Sequence, residues 1–462
     1  MKTPHHVASA KAMRLVRSPA GGLLTQPWID GVVLVLLRRY FFPLSRLWAL
    51  AREAEGNDER FISGTSSRSW SLRRVRQLRA SLADFERCRL KAYITDQLWH
   101  DYLFGQRGVA LERLQIVEEM RLDTRTAHNL TRWLFRPFCN MIDASVKMSP
   151  PTPAQVAARF GRDGEGIPAL FAVPAALPAV EVSRRLPVPH GNDFWLRFAS
   201  PSSAMQDMVY ARVHEPAGIR NPPTLIFGHG ICVEFDHYRN LIDDVAALIA
   251  LGIRVVRPEA PWHGRRVLPG HFGGEQLLSC TPSGMFDFLG AQHQEWAVLI
   301  DWCRHTSNGP VAIGGSSLGA QTAKTIAMHA ASWPAALRPD ALLAVAHCSH
   351  IAETALDSSF SDIWNLSAKL RENGWNRELI RRWLLRLDAP CSPCVPPEHI
   401  ISVTGSHDDV TPEASALRQL DAWQVPERNR FSYRRGHFTV TLGMIRDQAP
   451  LRRLSGVLEQ CR

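Results

Sequence analysis

The stretch Val311-Ala312-Ile313-Gly314-Gly315-Ser316-Ser317-Leu318-Gly319-Ala320 is an apolar run that ends in Gly-x-Ser-x-Gly and passes straight into a helical pattern. It reads as a nucleophile elbow, a serine held on a tight strand-to-helix turn with its hydroxyl above the sheet edge. Small residues flank such a serine because strand and helix pass close together there. Two serines compete for the centre. Reading Ser316 as the centre places Leu318 where the second glycine belongs, whereas Ser317 has Gly315 and Gly319 on its two sides. Ser317 is therefore the expected nucleophile. Gly-x-Ser-x-Gly also arises by chance in long chains, so the surrounding pattern has to decide.

Working outward, two strand-like runs at 194–198 and 208–213, split by Pro201-Ser202-Ser203, read as an antiparallel pair. Strands are then expected at 224–227, 253–256, 311–313, 341–346, 400–404 and 430–434. Helices are expected at 238–250, 287–305, 320–332 and 412–422, with a helical insertion at 357–387. That alternation predicts a mostly parallel α/β sheet with crossover helices. Upstream, residues 28–171 read as helices separated by Pro43, by the Ser/Arg-rich stretch 63–71 and by Pro150-Pro151-Thr152-Pro153. Pro43 followed by an apolar stripe at 44–50 looks like a helix start, and 72–103 looks amphipathic. Proline, alanine and valine dominate 166–189, which reads as an extended linker. The expected organisation is a helical N-terminal region at 1–165, a linker at 166–189 and an α/β domain at 190–462.

A chain of 462 residues with 45% hydrophobic residues has room for two or three domains with real cores. The net charge of +10 would suit nucleic acid, an anionic membrane or a basic soluble protein. The arginines are scattered through helical segments and form no basic tail or recognition motif, so no nucleic-acid partner is expected. Nine cysteines, odd in number and sparse, make no disulfide framework and point to a reducing compartment, hence a cytoplasmic location. Cys391-Ser392-Pro393-Cys394 lacks a second pair at zinc spacing and reads as a loop, so no metal is expected. Residues 1–26 are basic but lack the apolar core and cleavage site of a secretory signal. The longest apolar run, Gly31-Val32-Val33-Leu34-Val35-Leu36-Leu37, is ended by Arg38-Arg39 and is far too short to span a bilayer. It reads as a helix packed on the main domain, with a helix lying on an anionic membrane as the alternative.

Over about 190–462 the motifs and their order resemble the α/β-hydrolase fold. The resemblance implies a serine nucleophile followed in the chain by an acid and then a histidine. Gly405-Ser406-His407-Asp408-Asp409-Val410-Thr411-Pro412 resembles the family's Gly-x-x-Asp-x-Val-x-Pro turn and implies Asp408 as the acid that fixes the imidazole tautomer. Asp409 suits a helix cap better. Among eighteen histidines, Arg434-Arg435-Gly436-His437-Phe438 is similar to the family's histidine loop, in which glycine lets the ring swing over the serine. This implies His437 as general base. His407 is the rival, but it would put base and acid on one turn. Phe227-Gly228-His229-Gly230-Ile231-Cys232 resembles the family's His-Gly motif. It implies an oxyanion hole formed by the N–H groups of Leu318 and Ile231, with His229 as a structural anchor.

The stretch Arg257-Pro258-Glu259-Ala260-Pro261-Trp262-His263-Gly264-Arg265-Arg266 is similar to the family's Pro-x-His-Gly-x-Arg loop and to esterase-like members related to α/β-hydrolase domain-containing proteins. Arg265 and Arg266 are candidate clamps for an anionic substrate group; the alternative is a loop pinned to Glu259 or Glu275. Insertions at about 357–390 form a cap in this fold. Its Trp364, Leu366, Leu370, Trp375, Ile380, Trp383, Leu384 and Leu387 would favour an apolar acyl or aromatic group, although a core-facing stripe accounts for the same residues.

The resemblance implies a serine hydrolase that cleaves a carboxylic ester through an acyl-enzyme, without a cofactor. An acyltransferase or peptidase, and a non-catalytic scaffold for a protein or membrane partner, are the alternatives. The N-terminal region is expected to shape access and supply no catalytic atom, with its 32–37 stretch covered by the catalytic domain.

Overall fold

In the computed structural model, which describes residues 18–23, 25–67, 69–106, 108–233, 245–388 and 392–461, a ten-stranded sheet forms the scaffold. Its strands are β1 Glu181–Val182, β2 Leu186–Val188, β3 Gly191–Ala199, β4 Met208–Pro216, β5 Thr224–Gly228, β6 Arg254–Pro258, β7 Val311–Ser316, β8 Ala341–Val345, β9 Ile400–Gly405 and β10 Arg430–Tyr433. They lie in the order β1-β3-β4-β6-β5-β7-β8-β9-β10, with β2 pairing off this path to β3. β3 and β4 form an antiparallel hairpin, and β4 joins β6 antiparallel. From β6 to β10 every pairing is parallel.

Every residue of β5, β8 and β9 is buried, as is all of β7 except its last residue, Ser316. Continuous apolar runs of this kind belong to strands covered on both faces. Alternate residues serve opposite sides. Ile226, Ile313 and Leu342 pack with Trp296, Leu299 and Ile326 from helices Ser283–Thr306 and Leu318–His329. Leu225, Ala312, Leu343 and Val403 pack with Leu248, Val440, Met444 and Leu454 from helices Val245–Ala250, His437–Asp447 and Ala449–Gln460. The chain leaves β5 toward β6 and then crosses back to β7 on its other side. The carboxyl ends of parallel strands at such a reversal form a crevice.

The expected strands are all present. Of the helix expected at 238–250, Val245–Ala250 is helical and 238–244 lies outside the described residues, as does Cys391 of the Cys-x-x-Cys loop. The expected linker at 166–189 holds more structure than its composition suggests: a short helix, Ile167–Leu170, and then β1 and β2, which both pair with β3.

The N-terminal region is helical, as expected, but Pro43 does not separate two helices. Helix Trp28–Leu36 runs through a π-helical turn, Leu37–Phe41, directly into helix Phe42–Ala54. Proline removes one backbone donor, and the wider turn just before it absorbs the mismatch. Nearly all of Phe42–Ala54 is buried, against Phe61, Leu78, Phe85, Phe135 and Phe138. Helices Leu72–Leu103 and Leu111–Leu130 carry Trp99 and Leu114 onto Trp195 of β3 and Tyr210 of β4. The expected cover over 32–37 is partial: Leu34 and Leu37 pack against the cluster of Phe42, Phe272, Leu278, Phe360, Trp364 and Val410, and the rest of the stretch is more open. Val32, Val35 and Leu36 are 46%, 60% and 50% exposed, and Asp30 is the buried residue of helix Trp28–Leu36.

Candidate active site

Ser317 joins β7 to helix Leu318–His329 with φ 55° and ψ −116°, a conformation that strains a residue bearing a Cβ. A Cβ at Gly315 would lie 2.3 Å from the carbonyl carbon of Gly319, and one at Gly319 would lie 2.2 Å from the oxygen of Gly228. Glycine at both positions lets the helix close onto β5 and β7 and drives the serine outward.

Two distant loops meet this serine. His437 Nε2 accepts from Ser317 Oγ at 2.9 Å, and Nδ1 donates to Asp408 Oδ2 at 2.9 Å. Asp408 Oδ1 accepts the N–H groups of Val410 at 2.9 Å and Thr411 at 2.7 Å, and Oδ2 accepts the Thr411 hydroxyl at 2.7 Å. Four donors thus hold one carboxylate in one orientation. Thr411 was not singled out in the sequence, although it sits one residue before the proline of the Asp408 motif. The rival His407 is exposed and hydrogen-bonds Ser406 instead.

Two buried histidines clamp the loop expected to supply an oxyanion donor. His229 donates from Nδ1 to Gly230 O at 2.8 Å and accepts from Ala260 N at 3.2 Å. His263 donates to Pro261 O at 2.8 Å and accepts from Cys232 N at 3.1 Å. Ile231, between the anchored residues, and Leu318 both line the cavity that holds Ser317. As the first helical residue, Leu318 has no intrahelical acceptor for its N–H.

The antiparallel entry, the exchanged positions of β5 and β6, and the strained Gly-x-Ser-x-Gly turn at the end of β7 together decide the architecture. The chain has the α/β-hydrolase fold. No protein-family model and no curated protein matches the sequence. Among solved structures it is similar to acetyl xylan esterase 1 from Thermoanaerobacterium sp. JW/SL YS485, with 13% identity over 67% of this chain and 96% of that one and a TM-score of 0.41. It is similar to an S-formylglutathione hydrolase from Agrobacterium tumefaciens, with 16% identity over 59% and 99% and a TM-score of 0.39. It is also similar to an esterase from Pyrobaculum calidifontis, with 16% identity over 67% and 93% and a TM-score of 0.37. Likenesses this distant carry no information on substrate or mechanism.

In this hydrolase fold the serine faces a cavity of about 790 Å³. Phe360, Trp364, Leu366 and Ala355 from the insertion after β8 form one wall, and Val33, Leu36, Phe41 and Phe42 from the N-terminal helices form another. Phe42 ties the two together, with its ring 5.5 Å from Trp364 and 5.9 Å from Phe360 in edge-on contacts. Each such pair adds about 0.5–1.5 kcal/mol beyond area burial. The insertion's apolar residues divide. Trp364 and Leu366 reach the cavity, whereas Leu370, Trp375, Ile380, Trp383, Leu384 and Leu387 pack with Phe160, Ile167 and Phe286 as core.

Arg265 and Arg266 do not line the cavity, and the alternative reading of a pinned loop is the one the geometry supports. Arg265 pairs with Glu259 at 2.6 Å and Asp96 at 3.3 Å, and its guanidinium lies 4.7 Å from the Trp99 ring and 5.0 Å from those of Trp195 and Tyr210. Arg266 is buried between Asp207 at 2.8 Å and Glu295 at 2.6 Å. Glu259 and Asp96 take the two terminal nitrogens of Arg265, and Asp207 and Glu295 take all three nitrogens of Arg266. Glu275 anchors the same loop to Arg46 at 3.4 Å.

Burial opposes charge on both members of the His437–Asp408 pair, and each overcomes it. Burial pulls His437 down, but the charge and hydrogen bond of Asp408, and then Asp30 and Asp409, outweigh it and raise the imidazole above its ordinary 6.5. Burial pushes Asp408 up, but His437 and the Thr411 donors bring it below the ordinary carboxylate value. The pair therefore favours carboxylate beside imidazolium. Among the described residues no group of three or more His, Cys, Asp or Glu side chains is arranged to hold a metal ion.

Proposed function

We propose that the protein is a serine hydrolase that cleaves carboxylic esters bearing a large apolar group through an acyl-enzyme intermediate. The carrying observation is the Ser317–His437–Asp408 hydrogen-bond line opening into an apolar cavity. His437 Nε2 takes the Ser317 proton as Oγ adds to the ester carbonyl, and the oxyanion rests on the N–H groups of Leu318 and Ile231. His437 then passes the proton to the departing alkoxide, leaving Ser317 acylated. Water, deprotonated by His437, adds to the acyl carbonyl, and collapse returns the proton to Ser317 and frees the acid. A second alcohol or an amine in place of that water gives an acyltransferase, and an amide substrate gives a peptidase.

The test is a series of nitrophenyl esters of increasing acyl length. We expect kcat/KM to climb from acetyl toward long chains that fill the cavity, at roughly 10-fold per one to two methylenes until it is full. A preference for acetyl would sink the apolar-substrate reading. The pH profile is a second test. The base must be neutral to act, and His437 is raised above 6.5, so the acid limb of kcat/KM should be centred above pH 6.5 and activity lost below it. An acid limb at or below pH 6.5 contradicts this reading.

The exposed apolar residues near the cavity support peripheral contact with an anionic lipid surface as the source of such esters. Trp28, Val35, Leu36, Leu130 and Trp133 are all at least half exposed, and Arg38 and Arg39 beside them are exposed as well. Apolar side chains flanked by basic ones suit such a surface. No helix among the described residues is long and apolar enough to cross a membrane. The proposed location is the cytoplasmic side, on the strength of cysteines that are sparse and odd in number.

A further inference from the structure

Helix Trp28–Leu36 is apolar over most of its length and largely exposed, yet its one acid, Asp30, is its buried residue. Asp30 Oδ1 accepts the N–H of Phe438 at 2.5 Å, and Oδ2 accepts the Thr439 hydroxyl at 2.6 Å. Those residues form the first turn of helix His437–Asp447, whose N-cap position is Gly436. A glycine has no side chain with which to satisfy the free N–H groups of a helix start, and a carboxylate is among the best groups for the task. Asp30 supplies it from the other end of the chain. Gly436 has an ordinary φ of −96°, so its backbone does not demand glycine. Space does: a Cβ there would lie 2.4 Å from Asp30 Cγ. The glycine expected to free the imidazole instead makes room for this carboxylate.

His437 is the first residue of that helix, where the peptide dipoles present partial positive charge and oppose a cation. The imidazolium that must form when Ser317 gives up its proton is in an unfavourable place unless something offsets the dipole. We propose that Asp30 is a positioning residue for the reaction, capping the His437 helix from the N-terminal region and offsetting the dipole beneath the imidazolium. This rests on the serine-hydrolase reading for its catalytic consequence, but not for its electrostatic one. The charged groups around the site are few. Asp408 faces the Nδ1 edge of His437, Asp409 and Asp30 also act on it, and Arg435 is near Asp30. Burial raises the Asp30 carboxyl, and its hydrogen bonds to Thr439 and Phe438 and the charge of His437 pull the other way.

The experiment measures the His437 titration by NMR, and ester turnover against pH, in the full-length protein and in Asp30→Asn. The amide keeps an oxygen for the Phe438 N–H and removes the charge with almost no change of volume; its NH₂ takes the place of Oδ2, so the Thr439 hydroxyl accepts from residue 30 where it had donated. The imidazole midpoint and the acid limb of kcat/KM should both move to lower pH, because the lost negative charge no longer favours imidazolium. At the pH plateau kcat should fall about 3- to 30-fold with KM unchanged. Gly436→Ala, whose new methyl displaces the carboxylate without altering residue 30, should shift the midpoint in the same direction. An Asp30→Asn protein with an unmoved His437 midpoint and unchanged kcat overturns the proposal. A midpoint that falls in a protein inert toward every ester would leave Asp30 in its electrostatic role and overturn the hydrolase reading instead.

Discussion

Replacing Ser317 with alanine is expected to abolish covalent labelling by a fluorophosphonate probe and to lower ester turnover by about 10⁶-fold, while Ser316→Ala labels and turns over normally. Both serines line the cavity, so exposure alone does not separate them. Their partners do. Ser317 Oγ donates to His437 Nε2, whereas Ser316 Oγ faces the Thr441 hydroxyl at 3.3 Å. A threonine hydroxyl is no base, so the Ser316 oxygen has no group to take its proton on the way to attack. Only Ser317 stands at the strained position between strand and helix. Because alanine tolerates that backbone no worse than serine, the variant should fold, and unfolding curves would confirm that the loss is chemical. Labelling retained in Ser317→Ala and lost in Ser316→Ala would move the nucleophile by one residue.

What the sequence revealed and what it hid differ in physical kind. The elbow was legible because helix and strand approach so closely that the Gly315 and Gly319 positions admit no Cβ, a constraint that leaves its mark in the local sequence. The parallel strands were legible because burial on both faces demands unbroken apolar runs. Asp408 and His437 each stand in a short motif at a strand end, so neither required knowledge of the other. β1 and β2 escaped because they are two and three residues long, and in β1 both residues are exposed. Arg265 was ambiguous in principle, since one guanidinium serves a substrate carboxylate and a protein carboxylate equally well, and only the positions of Glu259 and Asp96 distinguish them. Asp30 was beyond reach. Its partner Phe438 is 408 residues away, and a single acid in an apolar helix carries no mark of what it touches. The 32–37 stretch was only half legible for a related reason, since a run apolar on all sides has no polar face to indicate that Leu34 and Leu37 pack inward while Val32, Val35 and Leu36 meet water.

Asp408→Asn should leave the fold and the cavity in place and cost about 10⁴-fold in kcat. In the unsubstituted protein the carboxylate accepts at both oxygens. Oδ1 takes two backbone N–H groups and Oδ2 takes the Thr411 hydroxyl and the imidazole Nδ1–H. An asparagine can satisfy the backbone pair with its single oxygen, which then leaves its NH₂ facing Thr411 and His437. A donor opposite Nδ1 forces the imidazole proton to Nε2, where it points at Ser317 and cannot receive the serine's proton. The substitution thus reverses the direction of the line while changing almost no volume. It also removes the charge that holds His437 above 6.5, so the imidazole midpoint should fall as activity disappears. The two effects separate the tautomer account from simple misplacement. If a displaced ring were the cause, Asp408→Ala would be far worse than Asp408→Asn; if the tautomer is the cause, Asp408→Ala, which imposes no donor on Nδ1, should be no worse, and its residual activity should rise with pH as the imidazole loses its proton. Turnover of Asp408→Asn within about tenfold of the unsubstituted protein would remove Asp408 from the machinery altogether.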